Sequence, residues 1–211
     1  MHAPRESVGE RLAGNARIQR LPYPGIELFQ YRDFIDARAC RDFIAMIDAD
    51  RRPSTIADPN GDDYFRTSET CDLDPAHPAV EAVEQAFFAL GGIDPAFGEP
   101  LQGQRYDVGQ EFKPHTDYFQ PDGADYDKYC AVSGQRTWTF MVYLNAVEAG
   151  GATRFKRIGK TFQPETGKLV CWNNRLPDGG VNPATIHHGM KVRKGVKYII
   201  TKWYREKEWP W

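Results

Sequence analysis

Residues 136–145, RTWTFMVYLN, alternate between two kinds of side chain in a way that strongly constrains the fold. Successive side chains of a β-strand point to opposite faces of a sheet. One face would carry Trp138, Phe140, Val142 and Leu144, and the other Thr137, Thr139, Met141 and Tyr143. The second face is partly polar, whereas the inner face of a closed sandwich is normally apolar. The pattern therefore predicts a strand that lines a cavity with a polar guest.

Helical patterns precede the strands along the chain. Residues 36–51 have apolar side chains at helical spacing, and Asp36 is placed to cap the start of this helix. Residues 77–92 also have apolar side chains at helical spacing, and this second helix is expected to end at Gly91-Gly92. Short β-like runs follow Leu101, namely RTWTFMVYLN, GATRF, KLVCW and GVKYIITKWY. This order predicts an α+β fold in which a β-sandwich or jelly roll carries N-terminal helices packed on one sheet.

The bulk composition excludes several functional classes. Of 211 residues, 27 are Lys or Arg and 29 are Asp or Glu, so we expect no nucleic-acid partner. No run approaches the ~20 apolar residues of a membrane helix, and we expect no membrane partner. Residues 1–20 lack an apolar signal segment, which predicts a loose N-terminal arm before a single domain over residues 21–211. Four widely spaced cysteines favour reduced thiols and a cytoplasmic location. The composition leaves the oligomeric state open.

The segment KPHTDYF, residues 113–119, offers two candidate metal ligands. On a strand, His115 and Asp117 would lie on the same face, about 7 Å apart at the backbone. A third ligand could come from ATIHHGMKV, where His187 and His188 would face opposite ways, so only one can join. Two histidines and a carboxylate are the ligand set of non-haem Fe(II) oxygenases, although zinc accepts the same set.

Lys197 is the next candidate, on the apolar run GVKYIITKWY. We expect this run to form a hairpin with the His187 segment, with the turn at Arg193-Lys194-Gly195. A lysine that points into a sandwich needs an anionic partner, because burying an unpaired ammonium is costly. Lys197 therefore either faces solvent or serves an anion such as a dicarboxylate co-substrate.

Four blocks, in this order, resemble the catalytic domain of prolyl 4-hydroxylases: RYDVGQEFKPHTDYF, RTWTFMVYLNAVEAGGATRF, GKLVCWNN and IHHGMKVRKGVKYIITKWY. These enzymes are Fe(II)- and 2-oxoglutarate-dependent dioxygenases with a double-stranded β-helix (jelly-roll) fold. The resemblance covers residues 26–205 and includes RTSET, which is similar to the substrate-side loop of the family. Matched order and spacing of four blocks make it specific.

The resemblance implies roles for individual residues. It implies that His115, Asp117 and His187 are the iron ligands, with His188 at a position where the family has a small residue. Residues that correspond to the 2-oxoglutarate pocket are Tyr106, Tyr143 and Lys197, with Lys197 pairing with the distal carboxylate. Thr201, four residues beyond Lys197, is expected either to add a hydroxyl contact there or simply to favour the strand. Residues that correspond to substrate contacts are Arg66, Arg136 and Trp203. We expect Trp138 and Trp172 to belong to the core.

The implied reaction is hydroxylation of an unactivated C–H bond. Fe(II) is the bound metal, 2-oxoglutarate and O2 are consumed, and succinate and CO2 are the co-products. Ascorbate would serve as a reductant. We expect the substrate to be a prolyl residue of a peptide or protein. The alternatives are a free amino acid or another small molecule, and, in a different class, a zinc-binding or non-catalytic jelly-roll module.

Overall fold

The computed structural model describes residues 6–54, 65–123 and 126–210. The helices are α1 (Val8–Gly14), α2 (Ala37–Ala49), α3 (Pro78–Gly91) and α4 (Tyr126–Cys130), with 3-10 turns at Pro95–Phe97 and Pro183–Thr185. The strands are β1 (Gln19–Arg20), β2 (Leu28–Tyr31), β3 (Arg52–Pro53), β4 (Glu69–Asp72), β5 (Gln102–Tyr106), β6 (Phe112–His115), β7 (Arg136–Tyr143), β8 (Ala149–Gly150), β9 (Thr153–Phe155), β10 (Lys160–Phe162), β11 (Leu169–Asn173), β12 (His187–Gly189), β13 (Val192–Lys194) and β14 (Lys197–Arg205).

Two antiparallel sheets carry the fold. The larger sheet has the order β1-β2-β11-β7-β14-β5-β4-β3, and the smaller has the order β10-β9-β12-β6. β13 and β8 form a separate pair. This arrangement is the predicted α+β jelly roll, with α1, α2 and α3 on the outer face of the larger sheet.

The alternation in β7 separates the two hydrophobic layers. Trp138, Phe140 and Val142 belong to the layer between the larger sheet and the helices. Met141 and Tyr143 belong to the layer between the two sheets. The partly polar face of β7 thus looks inward toward the second sheet, as the sequence pattern predicts.

The two predicted helices form where the sequence places them. Asp36 caps α2 by accepting a hydrogen bond from the backbone N–H of Ala39. His77 accepts from Ala79 at the start of α3. Gly92 ends α3 in the left-handed conformation, φ 69°, which glycine adopts without steric penalty.

Residues 8–20, which the sequence predicts to lie in a loose N-terminal arm, contain a short helix and a short strand. α1 begins with a capping box between Ser7 and Glu10 and buries Leu12 completely against the helical layer. β1 then pairs with β2 at the edge of the larger sheet. The physical reason is that Leu12 gives the short helix a buried anchor, while Val8 and Ile18 pack against the same layer. The domain boundary at residue 21 stays a prediction.

The prediction of a hairpin between the His187 segment and the Lys197 strand is wrong. β12 pairs with β6 and β9 in the smaller sheet, while β14 pairs with β5 and β7 in the larger one. The chain crosses between the sheets around Gly195, which has a φ of 82°. The consequence is that His187 and Lys197 lie in different sheets, which face each other.

The four cysteines, Cys40, Cys71, Cys130 and Cys171, are buried free thiols. Among the helices of the described ranges, none is long and apolar enough to cross a bilayer.

Candidate metal centre and its cavity

The candidate metal ligands come together on neighbouring strands of the smaller sheet. His115 at the end of β6 lies directly opposite His187 at the start of β12. Asp117 lies two residues beyond β6, in a bend rather than on the strand predicted from KPHTDYF. The bend does not separate it from His115, and all three side chains offer a ligand atom within 4.8 Å of one another.

Backbone carbonyl groups orient both imidazole rings. His115 Nδ1 lies 2.8 Å from the carbonyl oxygen of Lys113, and His187 Nδ1 lies 2.9 Å from that of Thr185. Carbonyl oxygens only accept, so each Nδ1 carries the hydrogen and each Nε2 keeps a free lone pair. These Nε2 atoms lie 3.7 and 3.9 Å from Oδ1 of Asp117.

The protonation state of His115 suits a metal ligand. Burial, and then the nearby His187, hold the pKa of His115 well below its usual range. The ring is therefore neutral near pH 7, as metal binding requires. Two histidines and one carboxylate fit the ligand set of a non-haem Fe(II) site.

His188 takes no part in this cluster. It is the next residue on β12 and projects to the other face, where its Nε2 lies 2.8 Å from Oε2 of Glu111. Lys191 also approaches Glu111, at 3.4 Å. The geometry thus brings His187, and not His188, to His115 and Asp117.

Lys197 faces the cluster from the larger sheet. Its side chain lines the same narrow cavity as the three candidate ligands and is 1% exposed. The ammonium lies 4.9 Å from the centre of the Tyr106 ring and 5.5 Å from that of Tyr143. Among the described residues, no carboxylate forms an ion pair with it, and burial lowers its pKa to about 7. A dicarboxylate bound in this cavity would supply the missing negative charge.

Hydroxyl groups lie on the same cavity wall. Tyr106 donates to Oε1 of Gln104 at 2.8 Å, and Nε2 of Gln104 reaches Thr201 at 3.4 Å. Tyr106, Gln104 and Thr201 all line the cavity. Tyr143 does not line it; its hydroxyl donates to Thr153 at 2.6 Å, and only its ring approaches Lys197.

The three predicted substrate residues lie along a wider groove of about 580 Å³ that opens beside the metal centre. Arg136 makes two hydrogen bonds to Glu99, at 2.6 and 2.7 Å, and covers the Trp203 ring at 4.1 Å. Arg66 donates to hydroxyl and amide oxygens, including those of Ser68 and Gln102. These arginines are thus already held by protein groups.

Trp203 lines both the groove and the inner cavity. Its indole nitrogen is buried and has no hydrogen-bond acceptor among the residues that the structure describes. A buried indole N–H normally has a partner, so this donor is available to a bound molecule.

Three residues of the site, Gln104, Thr139 and Asn174, are not among those that the sequence predicts there. Thr139 donates to Oδ2 of Asp117 at 2.6 Å, and Asn174 donates to Thr139 at 2.9 Å. The alternation of β7 already placed Thr139 on the cavity face, which was a usable signal. Asn174 had none, because its contact depends on the pairing of β11 with β7. Trp138 and Trp172 are in the core, as predicted.

Comparison with known proteins agrees with this geometry. Residues 101–205 match the family model of the 2OG-Fe(II) oxygenase superfamily. The human prolyl 4-hydroxylase subunit alpha-1 is 32% identical over 161 residues, which are 74% of this chain but 30% of that protein. The probable prolyl 4-hydroxylase 8 of Arabidopsis thaliana is 29% identical, with 97% of this chain and 78% of that protein covered.

Solved structures share the fold. The viral collagen prolyl hydroxylase of Paramecium bursaria Chlorella virus-1, in complex with 2OG, superposes with a TM-score of 0.67 and 25% identity, covering 92% of this chain and 98% of that one. A Pseudomonas putida prolyl-4-hydroxylase superposes with a TM-score of 0.59 at 20% identity, over 95% and 97% of the two chains. The family match, the relatives and the jelly roll together show that this chain belongs to the 2OG-Fe(II) oxygenase superfamily, in which it is prolyl 4-hydroxylase-like.

Proposed function

We propose that this protein hydroxylates a prolyl residue of a peptide or protein, using Fe(II), 2-oxoglutarate and O2. The observation that carries the proposal is the pairing of two features across one buried cavity: the cluster of His115, Asp117 and His187, and the ammonium of Lys197, which lacks a carboxylate partner in the described structure. A zinc-binding or non-catalytic module would have no use for that buried ammonium.

In this mechanism, His115, Asp117 and His187 would hold the iron on one side of the cavity. When bound, Fe(II) supplies O2 activation for the conversion of 2-oxoglutarate to succinate and CO2 and for C–H hydroxylation. The backbone carbonyls of Lys113 and Thr185 hold the Nε2 atoms of the histidines toward the site before any metal arrives. This preorganisation limits the rearrangement that metal binding requires.

Lys197 would bind the distal carboxylate of 2-oxoglutarate, with Tyr106 and Thr201 beside it. Burial raises the pKa of Tyr106, which keeps its hydroxyl protonated and able to donate. Because Lys197 and the metal ligands lie in facing sheets, a bound dicarboxylate would bridge them with one end at each. Tyr143 would act through its ring, which packs near the ammonium, rather than through its hydroxyl.

The groove favours an extended substrate over a free amino acid. Several aromatic rings line it, with Phe119 and Tyr129 stacked at 5.2 Å and Trp203 at the inner end. Aromatic grooves suit proline-rich segments, which reach them in a preformed extended helix with little entropy loss. Arg136 and Arg66 would contact this substrate through guanidinium N–H groups that do not already donate to Glu99, Ser68 or Gln102.

Two further properties belong to the proposal. Ascorbate would serve as the reductant. The protein would work in the cytoplasm, which its four buried free thiols support because such thiols are typical of a reducing compartment.

The experiment is incubation of the purified protein with Fe(II), 2-oxoglutarate and O2, together with a panel of proline-containing peptides and, in parallel, free L-proline. We expect succinate, and a peptide whose mass increases by one oxygen atom, located on proline by fragmentation. His115→Ala is the inactive control. Hydroxylation of free L-proline alone would replace the peptide by a small-molecule substrate. Absence of succinate with every substrate, in a protein shown to bind Fe(II), would overturn the proposal.

A further inference from the structure

We propose that a buried chain of three side chains, Trp172, Asn174 and Thr139, fixes Asp117 so that it offers one oxygen, Oδ1, to the metal. Asn174 and Thr139 are then positioning residues that act through Asp117. This inference rests on the proposed metal site and adds to it a reason why the carboxylate binds through a single oxygen.

The contacts form a continuous path to the carboxylate. The indole N–H of Trp172 donates to Oδ1 of Asn174 at 3.1 Å. Nδ2 of Asn174 donates to the hydroxyl of Thr139 at 2.9 Å, and that hydroxyl donates to Oδ2 of Asp117 at 2.6 Å. Trp172 is 1% exposed, and Thr139 and Asn174 are fully buried.

The direction of every hydrogen bond follows from the first donor. An indole nitrogen can only donate, so the amide of Asn174 must turn its oxygen toward Trp172. Its NH2 group then faces Thr139, and the hydroxyl oxygen of Thr139 accepts that hydrogen bond. The hydroxyl has one hydrogen, and it is left to donate to Asp117. No rotation of the amide or the hydroxyl would satisfy the chain in the opposite sense.

The backbone holds the path in place. Trp172 and Thr139 are direct partners in the register of β11 against β7. The backbone N–H of Asn174 donates to the carbonyl of Thr137 at 2.7 Å, and its carbonyl accepts from Asn182 at 2.8 Å. The path of three side chains is therefore anchored on the central strands of the larger sheet. The ligand that it orients, Asp117, follows β6 of the smaller sheet.

The two oxygens of Asp117 thus have different surroundings. Oδ2 accepts the short hydrogen bond from Thr139, whereas Oδ1 lies 3.7 and 3.9 Å from the Nε2 atoms of His115 and His187. A carboxylate held in this way presents one oxygen to an ion that both histidines can reach. A hydrogen bond donated to the ligand oxygen that does not face the metal raises metal affinity and fixes the orientation of the ligand.

The test compares Thr139→Val, which keeps the shape and removes the hydroxyl, with Thr139→Ser, which keeps the hydroxyl. Co(II) is titrated into each metal-free protein, and both the dissociation constant and the visible absorption of the bound ion are recorded. We expect Thr139→Val to weaken Co(II) binding by about 10–100-fold, because the carboxylate of Asp117 is no longer held in place. The absorption should also change, because Oδ2 becomes free to join the ion. Thr139→Ser should stay within about threefold of the unchanged protein.

Asn174→Leu provides a second, independent variant. Because Asn174 acts through Thr139, this variant should weaken Co(II) binding in the unchanged protein and should add nothing in the Thr139→Val background. If Thr139→Val does not fold, as judged by thermal unfolding, Asn174→Leu alone still decides the matter by its Co(II) affinity and absorption.

The outcomes separate the two proposals. If the unchanged protein binds no Co(II) or Fe(II), the proposed function fails. If the unchanged protein binds the metal and the folded Thr139→Val and Asn174→Leu variants bind it within twofold, with the same absorption, only the positioning chain is overturned. A lowered unfolding temperature with unchanged Co(II) affinity would likewise assign these residues to stability and overturn the inference.

Discussion

Lys197 and Lys202 lie on the same strand, β14, and each is 1% exposed, yet their surroundings differ. Lys202 projects toward the helical layer, where its ammonium lies 2.6 Å from Oε1 of Glu84 on α3. Lys197 projects into the cavity between the sheets, where no described carboxylate pairs with it. Burial lowers the pKa of both ammonium groups, but only for Lys202 does a neighbouring carboxylate oppose the shift.

The neighbouring histidines of β12 repeat this difference. His188 pairs with Glu111, whereas His187 faces His115 and Asp117. In both strands, the polar side chain that faces away from the cavity pairs with one carboxylate, and the one that faces the cavity is the candidate for binding. For the two lysines, burial alone does not mark the functional residue; the absence of an internal counter-charge does.

The largest effect on metal binding is expected at His187, with His188 as its matched control. His187→Ala should weaken Fe(II) or Co(II) binding by roughly 100-fold or more, because one of three protein ligands is lost. His188→Ala should change it by less than about threefold, since its partly exposed pair with Glu111 contributes little. Metal titration of both variants measures the difference, and the reverse order would exchange their roles.

Lys202→Met should cause the largest effect on stability. Removing one partner of a buried ion pair leaves Glu84 uncompensated, and we expect the free energy of unfolding to fall by about 3–5 kcal/mol. Adding Glu84→Gln should restore part of it. Denaturant unfolding measures both variants, and the affinity of Lys202→Met for 2-oxoglutarate should remain within about twofold. A large loss of 2-oxoglutarate affinity in Lys202→Met would show that Lys202, like Lys197, contributes to binding.

Lys197→Met should show the opposite pattern. The dissociation constant of 2-oxoglutarate should rise by roughly 100-fold, because the distal carboxylate would be buried without a counter-charge. The ligand-free variant should be at least as stable as the unchanged protein, since a buried unpaired ammonium is replaced by an apolar side chain. Calorimetric titration and thermal unfolding test both expectations. Destabilisation like that of Lys202→Met would show that Lys197 has a structural partner.

A smaller effect should appear as pH is varied. The pKa of Lys197 is about 7 in the ligand-free protein, while 2-oxoglutarate requires the charged form. Its affinity should therefore fall about tenfold for each pH unit above 7, until the pKa of the bound state is reached. The unfolded chain, with an ordinary lysine pKa of 10.5, holds more protons between pH 7 and 10.5. Lys197 thus lowers stability most below pH 7, and this penalty fades as pH rises toward 10.5.

The pH effect has a matched control. The difference in unfolding free energy between the unchanged protein and Lys197→Met should shrink as pH rises from 7 to 10, whereas a pH-independent difference would contradict the assigned pKa. Lys202→Met does not alter the cavity and should keep the pH dependence of 2-oxoglutarate affinity.

Local sequence patterns were sufficient for much of the fold. The alternation in β7 predicted which side chains face the helices and which face the cavity, because the period of two is a property of any strand. Caps and apolar spacing located α2 and α3. The N-terminal segment packs on the domain despite its polar composition, because Leu12 is buried and Val8 and Ile18 contact the same layer.

Strand pairing was beyond the reach of local signals. A turn at Gly195 looks the same in sequence whether the chain folds back in one sheet or crosses to another, so the expected hairpin was wrong. The same limit hid Asn174, whose role depends on the register of β11 against β7. Residues close in space but distant in the chain are joined by packing, which no short pattern encodes.

The residue types are readable from local sequence: an H-x-D pair, a choice of two histidines, a lysine on an apolar strand and a polar face on β7. The packing of the two sheets brings His187 and not His188 to His115 and Asp117, and it turns Lys197 toward them without a described carboxylate partner. The physical reason is that side-chain alternation selects a face, while the pairing of distant strands decides what that face meets.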